Sequence, residues 1–360
     1  MRILMTADAV GGVWTYAIEL ARALPDIDFT IATMGRRPTD AQRADVPPNA
    51  QLVESDFKLE WEDEPWNDVI NAGAWLLDLE ARLAPDVIHI NGYAHGALPF
   101  RTPKIVVAHS CVSSWWLAVN GRNTPREWDH YREAVTRGLN GASVVVAPSA
   151  WMLGELDRHY RFRARTRLIY NGRSYTPSIS HDRASVFAAG RLWDEAKNLG
   201  SVLAAAPRID WPVRIAGDGG ITSPNVTPLG RLDSMQMARA YGSSGIYLFP
   251  ARYEPFGLSI LEAALSGCAL VLGDIPSLRE IWRDAALFVS PLDTDAIAQT
   301  VNELIANDAL RGALAERARD RARLFTIERM ASSYRSTYES LIHPNAPLES
   351  VAIAHLGASS

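Results

Sequence analysis

Cysteine is nearly absent from this 360-residue sequence: Cys111 and Cys268 are its two thiols. Two thiols make neither a disulfide framework nor a four-ligand structural zinc site, and they fit a reducing compartment. Lysine is almost as scarce. Lys58, Lys104 and Lys197 stand among 36 basic residues, the rest of them arginine. There is no basic excess either. The 36 basic and 41 acidic residues leave a net charge of −5, which disfavours nucleic acid as the main partner. Long apolar runs are missing; none approaches the roughly 20 residues a spanning helix needs. The opening MRILMTADAV reaches Asp8 after few apolar positions. It is expected to be a buried strand rather than a secretory leader, with the protein in the cytoplasm.

What is present is an ordinary globular balance, 48% hydrophobic and 21% charged, in a length that suits two domains. Short β-rich runs alternate with helical patterns. Ile3–Met5, Phe29–Ala32, Val87–Ile90, Ile105–Ala108 and Val144–Ala147 read as buried strands. Helical stretches over 14–24, 69–83, 126–139 and 151–160 separate them. The pattern restarts with strands at 185–189, 213–216, 246–249, 269–272 and 287–289. Helices near Asn198, Ser234, Leu258, Ser277 and Ala296 follow them in turn. Such alternation predicts α/β architecture with two doubly wound parallel sheets. The polar stretch Asn171–Ser178 suits a linker between them. From Asp308 to Ile342 a long helical region is expected, and after His343 a poorly ordered tail.

In doubly wound sheets, ligands bind outside the carboxyl ends of the strands. The first strand ends in Asp8-Ala9-Val10-Gly11-Gly12-Val13-Trp14, where two glycines at a helix start permit close approach of a ligand to backbone N–H groups. The pattern is not GxGxxG, so a nicotinamide fingerprint is lacking. His109 ends another strand and could donate to a sugar hydroxyl; Trp115 and Trp116 after it could stack on a sugar face or simply pack. In the second half, Gly190-Arg191-Leu192 ends a strand and Lys197-Asn198 opens the next helix. Two converging cations there suit a diphosphate. Ala216-Gly217-Asp218-Gly219 is a second glycine turn at a strand end, and Gly230-Arg231-Leu232 could edge a base pocket.

The most specific stretch runs from Pro250 to Ala263. Its loop carries Glu254, its helix begins near Gly257, and Glu262 lies about one turn inside. The N–H groups of Phe256, Gly257 and Leu258 would be orphan donors facing the cleft. The two flanking carboxylates suit hydrogen bonds to vicinal diols.

With these residues in order, the chain resembles the retaining glycosyltransferases of family four (the group 1 glycosyl transferases), which have the GT-B fold of two Rossmann-like domains facing a cleft. The resemblance runs from Met1 to about Ile342. It is carried by Glu254-x7-Glu262 with its internal Pro-Phe-Gly, by Gly190-Arg191-Leu192 with Lys197-Asn198, and by Gly11-Gly12 and His109. Ala147-Pro148-Ser149 and Ile169-Tyr170-Asn171-Gly172 add to it. It implies an acceptor-side domain over 1–172 and a nucleotide-sugar domain over 173–325. A helix over 326–342 would cross back to the first domain, leaving a tail over 343–360. It implies a nucleotide-diphosphate sugar as donor and a sugar, lipid-linked sugar or small molecule as acceptor, with Trp14, Trp115 and Trp116 on the acceptor side. Arg191 and Lys197 would neutralise the leaving diphosphate. Glu254 would hold donor-sugar hydroxyls, Glu262 the ribose, and His109 the reacting sugar, with Gly11, Gly12, Arg231, Leu232, Phe256, Gly257 and Leu258 around the donor. No metal and no other cofactor is implied. Where many relatives have a glycine-rich loop after the second Glu, this chain has Gly273-Asp274-Ile275-Pro276-Ser277-Leu278-Arg279-Glu280, with Pro276 and Ser277 in place of small flexible residues, a departure at a donor-recognition loop.

Two other readings stay open on sequence alone: a nucleotide-sugar epimerase of the same fold, and a non-catalytic sugar-nucleotide-binding protein. The triplets Asp26-Ile27-Asp28 and Asp293-Thr294-Asp295 resemble metal motifs only in spelling; the first falls in a loop away from the cleft and the second reads as a helix cap. Arg158, Arg161, Arg163, Arg165 and Arg167 form a basic cluster. It suits either contact with anionic lipid at the inner face of a membrane or a solvated helix end and edge strand.

Overall fold

A computed structural model describes residues 1–191, 193–217 and 223–343. Among these residues thirteen strands form two sheets, parallel throughout. The first comprises β1 (Arg2–Asp8), β2 (Asp28–Met34), β3 (Ala50–Glu54), β4 (Val87–Ile90), β5 (Lys104–Val107), β6 (Val144–Ala147) and β7 (Arg165–Leu168). Its spatial order is β3-β2-β1-β4-β5-β6-β7. The second comprises β8 (Val186–Ala189), β9 (Val213–Ala216), β10 (Val226–Gly230), β11 (Ile246–Phe249), β12 (Ala269–Gly273) and β13 (Leu287–Val289). Its order is β10-β9-β8-β11-β12-β13. Both sheets therefore reverse direction beside their first strand, and the reversal opens a crevice at the strand ends. Gly11-Gly12 follows β1 and Arg191 follows β8, so each domain presents its glycine or cation at its own switch point. This is the GT-B architecture.

The central strands are uniformly buried because helices cover both faces, and they read as continuous apolar runs. The edge strands β3 (AQLVE) and β10 (VTPLG) are half exposed. They carry the polar residues and the proline that edges tolerate, and they lacked a sequence signal for that reason.

The helical region expected over Asp308–Ile342 is two helices, Asp308–Ala322 and Ile327–Ile342. Phe325 turns inward between them, edge-on to Tyr170 and Phe256. Thr326 caps the second helix by accepting the Arg329 N–H. Here the chain passes a second time between the domains. A Cβ at Gly172 would sit 2.1 Å from the Thr326 carbonyl oxygen, so only glycine lets the two passages touch, and Arg173 bridges Thr326. The last helix then lays Ile327, Met330, Ala331, Tyr334 and Tyr338 into the core of the first domain, against Ile3, Met5 and Tyr16. Residues after His343, and with them the expected tail, lie outside the described residues.

Candidate active site

The second domain supplies the charged side chains. Beyond β8 the Arg191 guanidinium donates to Asp194 at 3.0 Å and stacks on the Trp193 indole, 4.7 Å from its centroid. Leu192 lies outside the described residues, as do Asp218 and Gly219 of the second glycine turn. Lys197 ends a single helical turn, and its Nζ donates to Glu254 Oε2 at 2.7 Å; both side chains are largely covered. The two cations thus reach the cleft from one loop. The Lys197 ammonium is tied to the carboxylate that follows β11.

The Glu254 loop is built tightly. Glu254 Oε1 accepts the Phe256 N–H at 3.2 Å, and the Ser277 hydroxyl donates to the Glu254 carbonyl at 2.7 Å. The Phe256 N–H, expected to face the cleft unpaired, is therefore taken by its own loop, and the Phe256 ring is buried. Gly257 has φ +91°, and a Cβ there would meet Ile260 at 2.6 Å, which is why glycine starts the helix Leu258–Leu265. That helix presents its positive end at Leu258. Glu262, one turn inside, accepts from Arg173 Nε at 2.7 Å. Arg231 is exposed and Leu232 half buried beyond β10.

The first domain faces this with fewer charges. Gly11 has φ +86°; a Cβ built on it would lie 4.0 Å from Arg191 Nη1, and one on Gly12 would lie 3.8 Å from Leu258 Cδ1. The glycine turn and the second domain's Arg191 and helix start are thus brought together. Asp8, at the end of β1, is pushed up to about 6 by burial, partly offset by the Val10 N–H and by Arg191. His109 Nε2 lies 2.8 Å from Asn91 Oδ1. Asn91 Nδ2 donates to the Thr6 carbonyl, so its Oδ1 is the acceptor and His109 Nε2 carries the proton. Burial lowers His109 to about 4, which keeps it neutral, edge-on to the Tyr16 ring at 4.6 Å.

The tryptophans divide. Trp14 is buried in the first core, which removes it from the acceptor side. Trp116 packs on Trp115 and Trp128. Trp115 donates its indole N–H to Asp194 of the other domain at 3.3 Å.

Three residues without an assigned role in the sequence join the domains. Tyr253 inserts its hydroxyl at the start of the helix Val112–Asn120, 2.9 Å from Ser114 Oγ, where it accepts the Cys111 N–H. Glu280 caps the helix Ala150–Tyr160 from across the boundary, accepting the Ala150 and Trp151 N–H groups at 2.8 Å each. Arg173 pairs with both domains. Tyr253 and Glu280 sat inside stretches singled out by motif and Arg173 inside the linker, but their partners lie far away in sequence.

Among the described residues no three His, Cys, Asp or Glu side chains gather as a metal site. Asp26 is held by Arg335 of the last helix at 2.7 Å, and Asp293 caps the helix Thr294–Ala306. No described helix is long and apolar enough to cross a membrane. Arg165 and Arg167 lie on β7, the outer strand of the first sheet.

The family model Glycosyltransferase Family 4 matches residues 10–174, and that of Glycosyl transferases group 1 matches 183–307. Among curated relatives, O-antigen chain mannosyltransferase B of Escherichia coli is 30% identical over 113 residues, 31% of this chain and 30% of that protein. The phosphatidyl-myo-inositol mannosyltransferase of Mycolicibacterium smegmatis is 26% identical over 174 residues, 44% of this chain and 45% of that protein. The matched part thus spans less than half the length of either relative. Among solved structures, sucrose-phosphate synthase from Thermosynechococcus elongatus superposes with TM-score 0.80 at 19% identity, covering 95% of this chain and 99% of that one. Anabaena HepE in complex with UDP-glucose gives 0.75 at 18% identity, covering 94% and 100%.

Proposed function

The chain belongs to the group 1 glycosyltransferases of family four, and from that premise we propose that it moves a hexosyl group from a nucleotide-diphosphate sugar to an acceptor hydroxyl with retention of configuration, without a metal, in the synthesis of a cell-envelope polysaccharide or glycolipid. The observation that carries the reading is the meeting of the Gly11-Gly12 turn with Arg191 and with the start of the helix that bears Glu262, the Lys197–Glu254 pair lying in the same set of loops. Anionic phosphates need fixed cations and oriented N–H groups; sugar hydroxyls need carboxylates. Both occur here among these neighbouring loops. The names of similar proteins, mannosyltransferases among the relatives and a fold neighbour in complex with UDP-glucose, support the same class.

In this mechanism Arg191 and Lys197 stabilise the charge that builds on the leaving diphosphate, the work a divalent ion does elsewhere. Glu254 holds donor-sugar hydroxyls through the oxygen not given to Lys197. The neutral His109 presents its Nε2–H side to Asn91, which fixes the ring beside the sugar so that it orients the reacting carbon. The acceptor attacks from the leaving-group side, and the departing phosphate oxygen takes its proton. Asp8 is the carboxylate nearest the glycine turn and the one that an inverting reaction would need.

A calorimetric screen of UDP-, GDP- and ADP-sugars identifies the donor. Product NMR then shows an α-linkage from an α-linked donor, in the presence of EDTA. A β-linked product lost in Asp8→Asn and kept in His109→Ala, or activity that EDTA abolishes and Mg²⁺ restores, contradicts the reading. Conversion of nucleotide sugar without any acceptor would identify an epimerase instead.

A further inference from the structure

The linker between the domains reads in sequence as polar spacer, yet one of its residues is the centre of a covered ion cluster. Arg173 directly follows Gly172, whose lack of a side chain lets the chain press against Thr326. From that crossing the Arg173 side chain reaches both ways. Its Nε donates to Glu262 Oε1 at 2.7 Å, and its Nη1 donates to Glu19 Oε1. Glu19 lies on the helix Gly12–Ala23, the helix that begins with the glycine turn, and Glu262 on the helix Leu258–Leu265. The side chains of Arg173, Glu19 and Glu262 are 15%, 10% and 12% exposed. Burial opposes the charge on Arg173, and the two carboxylates outweigh it, raising its pKa.

One guanidinium between two carboxylates is a directional device. Its planar fork offers donors in fixed directions, which a lysine cannot do. With Oε1 of Glu262 committed to Arg173, the rotation of the carboxylate is set and Oε2 is the oxygen left for a ligand. A carboxylate that accepts from vicinal hydroxyls works only in such a fixed orientation.

We propose that Arg173 is a positioning residue that orients Glu262 toward the ribose hydroxyls of the nucleotide and, through Glu19, ties ribose recognition to the placement of the first domain. This rests on the nucleotide-sugar reading above. Arg173 does not touch the nucleotide; it acts through Glu262. The diphosphate is held elsewhere, by Arg191 and Lys197, so ribose recognition and diphosphate binding are separable.

The test compares the affinity for UDP and GDP with that for their 2′-deoxy forms by calorimetry. The wild-type chain prefers the ribo form by about ten-fold or more, the value of a hydrogen bond to a charged group. Arg173→Lys reduces that preference to about three-fold or less, while the affinity for the 2′-deoxy forms changes less than about two-fold. In Glu262→Gln the preference is already reduced, and adding Arg173→Lys changes it no further. Glu19→Gln keeps an acceptor for Arg173 and removes its charge; it is the second variant should Arg173→Lys not fold, and it lowers the preference about two-fold. A merely structural ion cluster would move the melting temperature and leave the ribo preference intact. A folded Arg173→Lys or Glu19→Gln chain with the wild-type preference, or a wild-type chain that binds both forms equally, overturns the assignment. A wild-type chain that binds none of UDP, GDP and ADP overturns the nucleotide-sugar reading itself.

Discussion

The two faces of the cleft are built from opposite materials. On the second domain the side chains at the strand ends are charged and paired: Lys197 with Glu254, Arg191 with Asp194, Glu262 with Arg173. On the first they are neutral or pushed toward neutrality. Burial lowers His109 to about 4 and raises Asp8 to about 6, and behind them the fully buried His89 of β4 is lowered to about 3. Asn91 joins both histidines through Oδ1. On the proposed function, the difference follows from what each face would meet. A leaving diphosphate demands fixed charge, and an ion pair already in place is exchanged for another with little reorganisation. A sugar and an acceptor hydroxyl demand orientation, which a neutral hydrogen-bonded network supplies without competing charge.

The first domain is complete only with the last helix, and removing that helix has the largest expected effect. Truncation after Asp320 removes Ile327, Met330, Tyr334 and Tyr338 from the first core, where each is buried. At about 1.5–3 kcal/mol for each large side chain, the loss is comparable to the whole stability of a domain, about 5–15 kcal/mol. The truncated chain is expected to be insoluble or unfolded by circular dichroism, and a chain ending at His343 to melt like the full one. A soluble, active product ending at Asp320 would refute the crossing helix.

Next in size are the charges. Lys197→Ala is expected to lower kcat about 10²- to 10³-fold, with Arg191→Ala next, both with the melting transition retained. Lys197→Ala leaves Glu254 without its partner, so Lys197→Met with Glu254→Gln separates lost charge from lost pairing. The neutral face should give a smaller and differently shaped effect. His109→Ala is expected to lower kcat about 10- to 100-fold with a smaller change in donor KM, because contacts that strengthen in the transition state show in kcat. A rise in KM at unchanged kcat would move His109 into simple binding.

Much of the fold was legible because central strands of parallel sheets are apolar runs, and the restart of that pattern marks the second sheet. The edge strands β3 and β10 were not, since half-exposed strands read as loops. Arg191 with Lys197, and Glu254 with Glu262, were legible as two short motifs at strand ends; the pairing of Lys197 with Glu254, 57 positions apart, was not. Arg173 as an ion-cluster centre was not, because its partner Glu19 is 154 positions away. Glu280 lies 130 positions from the helix it caps. Trp14, placed on the acceptor side by the resemblance alone, is turned into the first core by the helix Gly12–Ala23.

The smallest predicted effect concerns Glu19. Burial, only partly offset by Arg173, raises its carboxyl to about 7 in the folded chain, against an ordinary value of 4.5. Between about 4.5 and 7 the folded state therefore holds a proton there that the unfolded state has released, and above about 7 Glu19 is the carboxylate that pairs with Arg173. This contribution to stability is fully present below about 4.5 and is lost as pH rises through about 7. Glu19→Gln is expected to flatten the pH dependence of the melting temperature across that window. An unchanged slope would mean that Glu19 stays ionised beside Arg173.

The division of labour between the faces is tested most directly by calorimetry with a nucleoside diphosphate and the matching monophosphate, in the wild-type chain and in Arg191→Ala, Lys197→Ala and His109→Ala. The diphosphate is expected to bind more tightly than the monophosphate in the wild type. Arg191→Ala and Lys197→Ala are each expected to weaken diphosphate binding by about ten-fold or more, from loss of a charge-assisted contact of about 1.5–3 kcal/mol, and His109→Ala to leave it nearly unchanged. Diphosphate affinity untouched by both cation substitutions, or lost in His109→Ala alone, would contradict that division.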